Sequence, residues 1–292
     1  MKLFTLNRDI LFYDNYKAAC PTASIYPRLG MVLKFFRAII NKYIPRLGPA
    51  FYTREFRRCG KHEDCIIIFD SSLTVAAANY IKKKYPSLRV IYWFWNHIYD
   101  SSIFEKLDSS VEKWTYDPVD SAKFELKLNT QFYFPELVDE TNGAYVESYD
   151  CVFAGAVKGR QREIEDCQKM VNAAELSNYF FIATGFKHGH YKKWLPYLEL
   201  IKYVRNSRCV IDLLPATQNG MSLRPLEALF FEKKLITNYK RIKESKFYNP
   251  SNIFIIGEDA PDTLHEFVNT PVEPVNLADK EYYTFQSWLK RF

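Results

Sequence analysis

FAGAVKGR (153–160) runs a strand-like apolar segment into a loop with two glycines and two cations, just ahead of a helical pattern. Gly155 and Gly159 let a ligand approach the backbone closely, and Lys158 and Arg160 put positive charge at the same mouth. A helix N-terminus beyond them supplies unpaired N–H groups and the positive end of the helix dipole. Together these read as a cradle for a diphosphate, against the plainer reading of a glycine-bearing turn with solvated cations. The spacing is neither G-x-G-x-x-G nor G-x-x-x-x-G-K-[ST], so a nicotinamide enzyme and a P-loop NTPase are not indicated.

A second junction lies in LLPATQNGMSLRPLEALFFEKKLITN (213–238). A strand ends, a polar loop from Ala216 to Gly220 follows, and Ser222 is a predicted N-cap for a helix over 222–232. Arg224 and Glu227 stand three apart, so they share a helix face. An arginine fork meets phosphate, and a carboxylate accepts from the paired hydroxyls of a ribose. An ordinary i,i+3 salt bridge is the competing reading. A polar pair on an otherwise apolar helix that starts at a strand's carboxyl end favours a ligand.

With strand, polar glycine loop, S-L-R-P-L-E-A-L, a basic pair and L-I-T-N in that order, this stretch resembles the donor-binding motif of GT-B glycosyltransferases. More narrowly, it is similar to those of bacterial polysaccharide and lipopolysaccharide biosynthesis. TYDPVDSAKFELKLNTQFYF (115–134) and FYNPSNIFII (247–256) look like theirs as well, so the resemblance covers most of residues 111–257 and weakens over the first 60. It implies a transferase that takes a sugar from a nucleotide-sugar to a glycan or lipid-linked saccharide. It implies Glu227 on the ribose and Arg224, Lys158 and Arg160 at the diphosphate. Gly155, Ser222 and the backbone of the Asn219–Gly220 turn complete the phosphate site. Many retaining members carry a second glutamate eight positions before the Glu227 equivalent. Asn219 stands there, so the usual two-glutamate arrangement is not carried over.

An inverting transferase needs a base for the acceptor hydroxyl. Two candidates stand in the first half: Asp70, which closes the strand CIIIFD, and His97, which follows VIYWFW. Asp70 also fits as a helix N-cap, with Ser72 offered for the same helix, and His97 as a structural histidine. Lys187, His188 and His190 in GFKHGHYKK suggest a loop near the nucleotide rather than a metal site. No D-x-D stands in the chain. The expectation is therefore no metal and no cofactor, the diphosphate charge being met by Arg, Lys and a helix dipole.

The elements that must hold these groups alternate. Strands are predicted at 65–70, 89–95, 111–116 and 130–134, and after a polar linker (135–148) at 149–155, 178–184, 208–214, 234–238 and 252–257, mostly with helices between them. This predicts an α/β protein of two doubly wound, Rossmann-like domains facing a cleft. The boundaries are 1–140 for an acceptor-side domain, 141–276 for a nucleotide-sugar domain, and 277–292 for a C-terminal helix packed back on the N-terminal domain. A length of 292 residues suits two domains.

Charge is uneven. The net charge is +6, yet residues 1–61 hold 12 Lys and Arg against three acids, a local +9. Leu29, Val32, Leu33, Phe36, Ile40, Tyr43 and Ile44 recur at helical spacing, with Lys34, Arg37 and Lys42 off that face. Residues 29–46 are thus either an amphipathic helix packed on its own domain or a basic helix at an anionic membrane surface. No apolar run is long enough to span a membrane. The six cysteines show no C-x2-C spacing and read as reduced. The expected location is cytoplasmic, peripheral at the inner face of the membrane. Two other classes compete: a non-catalytic nucleotide- or glycan-binding protein of the same fold, and a nucleic-acid binder. The second leaves Arg224 and Glu227 unexplained, so nucleic acid is not an expected partner.

Overall fold

The computed structural model describes residues 1–292 except 7–11, 44, 72, 144–147 and 184–194. The Ser72 cap and the Lys187, His188 and His190 loop lie outside the described residues. The chain divides into two compact units, Met1–Asn129 and Thr130–Phe292. Both are α/β with one parallel sheet, as the alternating pattern predicts.

In the first unit the strands are β1 (Lys2–Thr5), β2 (Thr22–Ser24), β3 (Cys65–Phe69), β4 (Arg89–Phe94), β5 (Glu112–Thr115) and β6 (Lys127–Leu128). Their order is β2-β1-β3-β4-β5-β6, and every pairing is parallel. The central strands are continuous apolar runs because helices cover both faces of such a sheet. Ile66, Ile67 and Ile68 of β3 and Ile91, Tyr92 and Trp93 of β4 are fully buried. The sequence reading contains neither β1 nor β2. They are four and three residues long, too short for periodicity to mark.

In the second unit the strands are β7 (Tyr149–Ala156), β8 (Asn178–Ala183), β9 (Ser207–Asp212), β10 (Lys234–Thr237) and β11 (Ile253–Ile255). Their order is β11-β10-β9-β7-β8, again all parallel. The core joins Phe153, Ile164, Val171, Ile211, Ile236 and Phe254. The chain leaves β7 toward β8 and returns to β9 on its other side. The β7/β9 gap is therefore the point where the strand order reverses, where open parallel sheets bind ligands beyond their carboxyl ends.

Three expectations differ from the structure. Residues 130–134 add no strand to the first sheet; they carry only a bridge between Tyr133 and Thr284. Tyr133 N–H donates to Tyr283 O at 2.8 Å, and Phe285 N–H to Tyr133 O at 2.9 Å. The tail (277–292) lies on this segment, with Trp288 4.5 Å from Phe132 between ring centres. Aromatic packing thus draws 130–134 into the second unit. Part of the expected linker is also structure: the helix Glu136–Glu140 buries Leu137, and Arg205 donates to Val138 O at 2.9 Å. The first unit therefore ends at Asn129 rather than at residue 140.

All six cysteines are free thiols. Burial pushes the Cys167 thiol up to about 12. Among the described residues no helix is long and apolar enough to cross a membrane.

Candidate functional site

The reversal point of the second sheet gathers two arginines and two acids from different stretches of chain. β9 ends in Asp212, which is buried at its last residue. Ser222 Oγ donates to Asp212 Oδ1 at 2.8 Å, and Thr237 Oγ1 lies 3.3 Å from Oδ2. Ser222 Oγ in turn accepts from Arg224 N–H at 3.1 Å. It satisfies one terminal N–H of the helix Arg224–Phe230, although the residue at the cap position is Leu223. Burial raises the Asp212 carboxyl, while Ser222 and the Arg224 and Arg160 guanidiniums pull it back down.

Arg224 reaches two ways. Nη1 bonds Glu227 Oε1, and Nη2 donates to Ala154 O of β7 at 3.1 Å. The start of the helix Arg224–Phe230 is thereby tied to β7. Glu227 has no exposed surface. Its Oε1 also accepts from Tyr197 at 3.1 Å, and that hydroxyl lies 2.9 Å from Tyr133 Oη. Oε2 of Glu227 is buried and has no hydrogen-bond partner among the described residues. Burial and the Glu227 charge hold the Tyr197 phenol well above its ordinary range. The i,i+3 salt bridge weighed from the sequence is therefore present, with its carboxylate fully buried, its guanidinium partly so, and both inside a larger network.

Arg160 closes the other side. Nε and Nη2 donate to Ala156 O at 3.3 and 3.2 Å, and the guanidinium lies 5.6 Å from the centre of the Phe153 ring. Burial lowers its affinity for a proton, Asp212 opposes that, and Arg224 adds to it. Gly155 makes this approach possible: a Cβ there would stand 2.7 Å from Arg160 Nη2. The turn itself carries positive φ at Lys158 (42°) and Gly159 (79°).

Of the predicted donor residues, Gly155, Arg160, Ser222, Arg224 and Glu227 converge. Lys158 is exposed. Gly220 is buried in a turn, where its carbonyl accepts from Gln218 Nε2 at 3.0 Å, and Asn219 is half-buried beside it. The sequence reading missed Asp212, Thr237, Tyr197 and Tyr133. For Asp212 a signal was present: it is an acid closing an apolar strand, as Asp70 does.

In the first unit, Asp70 does not cap the helix Val75–Lys84. Its Oδ1 accepts from Trp95 N–H at 2.7 Å, and Asn96 also bonds it. Burial raises its carboxyl to about 6, against those hydrogen bonds. Past the end of β4, His97 Nδ1 lies 3.0 Å from Asp120 Oδ2 and 3.7 Å from Asp117 Oδ2. Asp117 caps the helix Pro118–Phe124 through Val119 N–H and Asp120 N–H, and Asp120 accepts from Ile98 N–H at 3.0 Å. From the sequence, Asp117 reads as a helix opening, and Asp120 carries no assigned role.

No protein-family model matches this chain, and no curated protein does. Among solved structures it is similar to the UDP-GlcNAc 2-epimerase from Methanocaldococcus jannaschii. That likeness is at 12% identity and a TM-score of 0.47, and covers 100% of this chain and 98% of that one.

Proposed function

We propose that the protein is a glycosyltransferase that moves a sugar from a nucleotide-sugar to a glycan or lipid-linked saccharide in cell-surface polysaccharide or lipopolysaccharide synthesis. The observation that carries this reading is Glu227. One oxygen is fixed by Arg224 and Tyr197, and the other is a buried acceptor with no partner among the described residues. Leaving a buried acceptor unpaired costs about 1–3 kcal/mol. A ribose hydroxyl on Oε2 removes that cost and brings the diphosphate toward Arg224 and Arg160. Arg160 Nη1 makes no hydrogen bond among the described residues, so it has an N–H to give a phosphate oxygen. As the bond between the anomeric carbon and the diphosphate oxygen breaks, the guanidiniums take up the growing negative charge. Lys158 and the Asn219–Gly220 turn complete the phosphate contacts.

The acceptor hydroxyl attacks the anomeric carbon, and its proton passes to a base on the first unit. Asp70 is the leading candidate, since a carboxyl near 6 matches the Brønsted optimum for a base at neutral pH. His97 is the second candidate.

The acceptor side docks on an anionic membrane surface through residues 29–46. Supporting this, the helix Met31–Tyr43 leaves Met31 (88% exposed), Phe35 (62%), Phe36 (51%) and Tyr43 (68%) in solvent. Apolar side chains above a basic segment suit the headgroup boundary of a bilayer.

A thermal-shift series over nucleoside diphosphates, followed by transfer assays with the matching nucleotide-sugars, tests the reading. At least one nucleotide raises Tm for wild type and not for Glu227→Gln. No shift with any nucleotide overturns the donor site, and a shift without turnover makes the protein a non-catalytic binder.

A further inference from the structure

We propose that His97, Asp117 and Asp120 form a binding site for a divalent transition-metal ion. The three donor atoms, one per residue, lie within 4.8 Å of one another. They come from adjacent strand ends: His97 follows β4, Asp117 follows β5, and Asp120 sits one helical turn on. Ligands of parallel sheets bind at such carboxyl ends. The side chains are 19%, 0% and 2% exposed, so this is not a solvated acidic patch.

The geometry around Nδ1 favours an ion over a hydrogen bond. Nδ1 is buried and makes no hydrogen bond, although Asp120 Oδ2 is only 3.0 Å away. The carboxylate oxygen stands off the line that a ring N–H would need. With no ring N–H aligned to either carboxylate, a neutral Nδ1 lone pair facing two carboxylate oxygens at 3.0 and 3.7 Å is repulsive, and a cation among the three relieves that repulsion. An octahedral ion with bonds of about 2.1 Å holds neighbouring ligand atoms about 3.0 Å apart, and a tetrahedral one about 3.4 Å. The two separations from His97 Nδ1, 3.0 and 3.7 Å, bracket those values. One imidazole with two carboxylates suits zinc, iron(II), cobalt or manganese rather than magnesium or calcium, which prefer all-oxygen shells. Three protein ligands leave further positions open to water or substrate.

Backbone N–H groups already hold both carboxylates. Asp117 Oδ1 is pinned by two N–H groups of its own helix, and Asp120 Oδ2 by Ile98 N–H. The site does not depend on the donor-site reading; an ion here engages His97 and leaves Asp70 as the candidate base, and it departs from the sequence expectation of no metal.

Cobalt(II) titration of the full chain, after chelation and dialysis, tests it. Wild type takes up a single equivalent with d–d absorption and no thiolate charge-transfer band. Asp120→Asn and Asp117→Asn keep an oxygen for the same N–H donors, so both should fold, as circular dichroism will verify. Each weakens cobalt binding by more than the roughly 10–100-fold that outer-shell changes cost. His97→Ala does the same. Zinc raises the Tm of wild type and not of these variants. No binding by wild type, binding unchanged in the three variants, or a thiolate band from the cysteines each overturns the proposal.

Discussion

Glu227 and Arg224 stabilise each other at the point where both are proposed to meet a ligand. Breaking a buried ion pair from one side leaves an unpaired charge and costs about 3–5 kcal/mol. Glu227→Ala is therefore expected to lower stability to urea by that amount. Glu227→Gln also removes the charge facing Arg224, but its amide oxygen still accepts from Tyr197 and Arg224, so it costs less than Glu227→Ala; it still loses the nucleotide-induced shift. Gly155→Ala works through space alone: its Cβ would push Arg160 Nη2 aside. Because the far end of that side chain can move, stability changes little. Nucleotide affinity, read by calorimetry, falls about tenfold, the worth of one charge-assisted hydrogen bond. Asp70 carries a pH signature. Its carboxyl is raised to about 6 from 3.8, so the fold favours the neutral form. That contribution to stability is complete below the ordinary carboxylate range and disappears as pH rises through about 6. Asp70→Asn therefore gains on wild type in denaturation midpoint between pH 4 and 7. As the base, Asp70 also makes kcat/KM rise through about 6, and Asp70→Asn cuts the rate roughly 10²–10⁴-fold. A wild-type profile flat from pH 5 to 7 would remove Asp70 from that role.

At the scale of elements, the helix Met31–Tyr43 carries an amphipathic pattern that the sequence reads in two ways. Periodicity puts Leu29, Val32, Leu33, Phe36, Ile40 and Tyr43 on a single face, but cannot say what covers it. In the fold the helix's own Arg37 guanidinium lies 4.5 Å from the centre of the Tyr26 ring, and much of the helix's apolar face is exposed. Phe35→Glu with Phe36→Glu therefore costs little stability, as exposed positions usually do. The pair abolishes co-flotation with vesicles containing anionic lipid. Added salt weakens wild-type binding, and neutral vesicles bind less. Co-flotation retained by the double variant would reject this helix as the contact.

At the scale of the whole chain, each unit has a core of its own among the described residues, so unfolding need not be one transition. Trp288 is fully buried against Phe132 and Phe285 in the second unit. Trp288→Ala is expected to remove about 3–5 kcal/mol from that unit. Urea unfolding followed by circular dichroism should then show an early second-unit transition, while the first unit's midpoint holds. A nucleotide that binds only the folded second unit moves its transition alone, by about 2.7 kcal/mol at 100 times Kd.

The sequence by itself determined the α/β class, the central strands and the two glycine-bearing junctions. Those features are local: continuous apolar runs, Pro and Gly stops, and charges within a few residues of a strand end. Gly155, Arg160, Arg224 and Glu227 were legible because each sits at such a junction. Tertiary structure alone decided that Asp212, Tyr197 and Tyr133 join them, since strand order, not spacing, brings residues 133, 154, 197, 212 and 227 together. It alone placed 130–134 with the tail, because an aromatic run reads equally as a strand or as packing for distant rings. It alone set His97 beside Asp117 and Asp120, across two neighbouring strands whose pairing local spacing does not reveal.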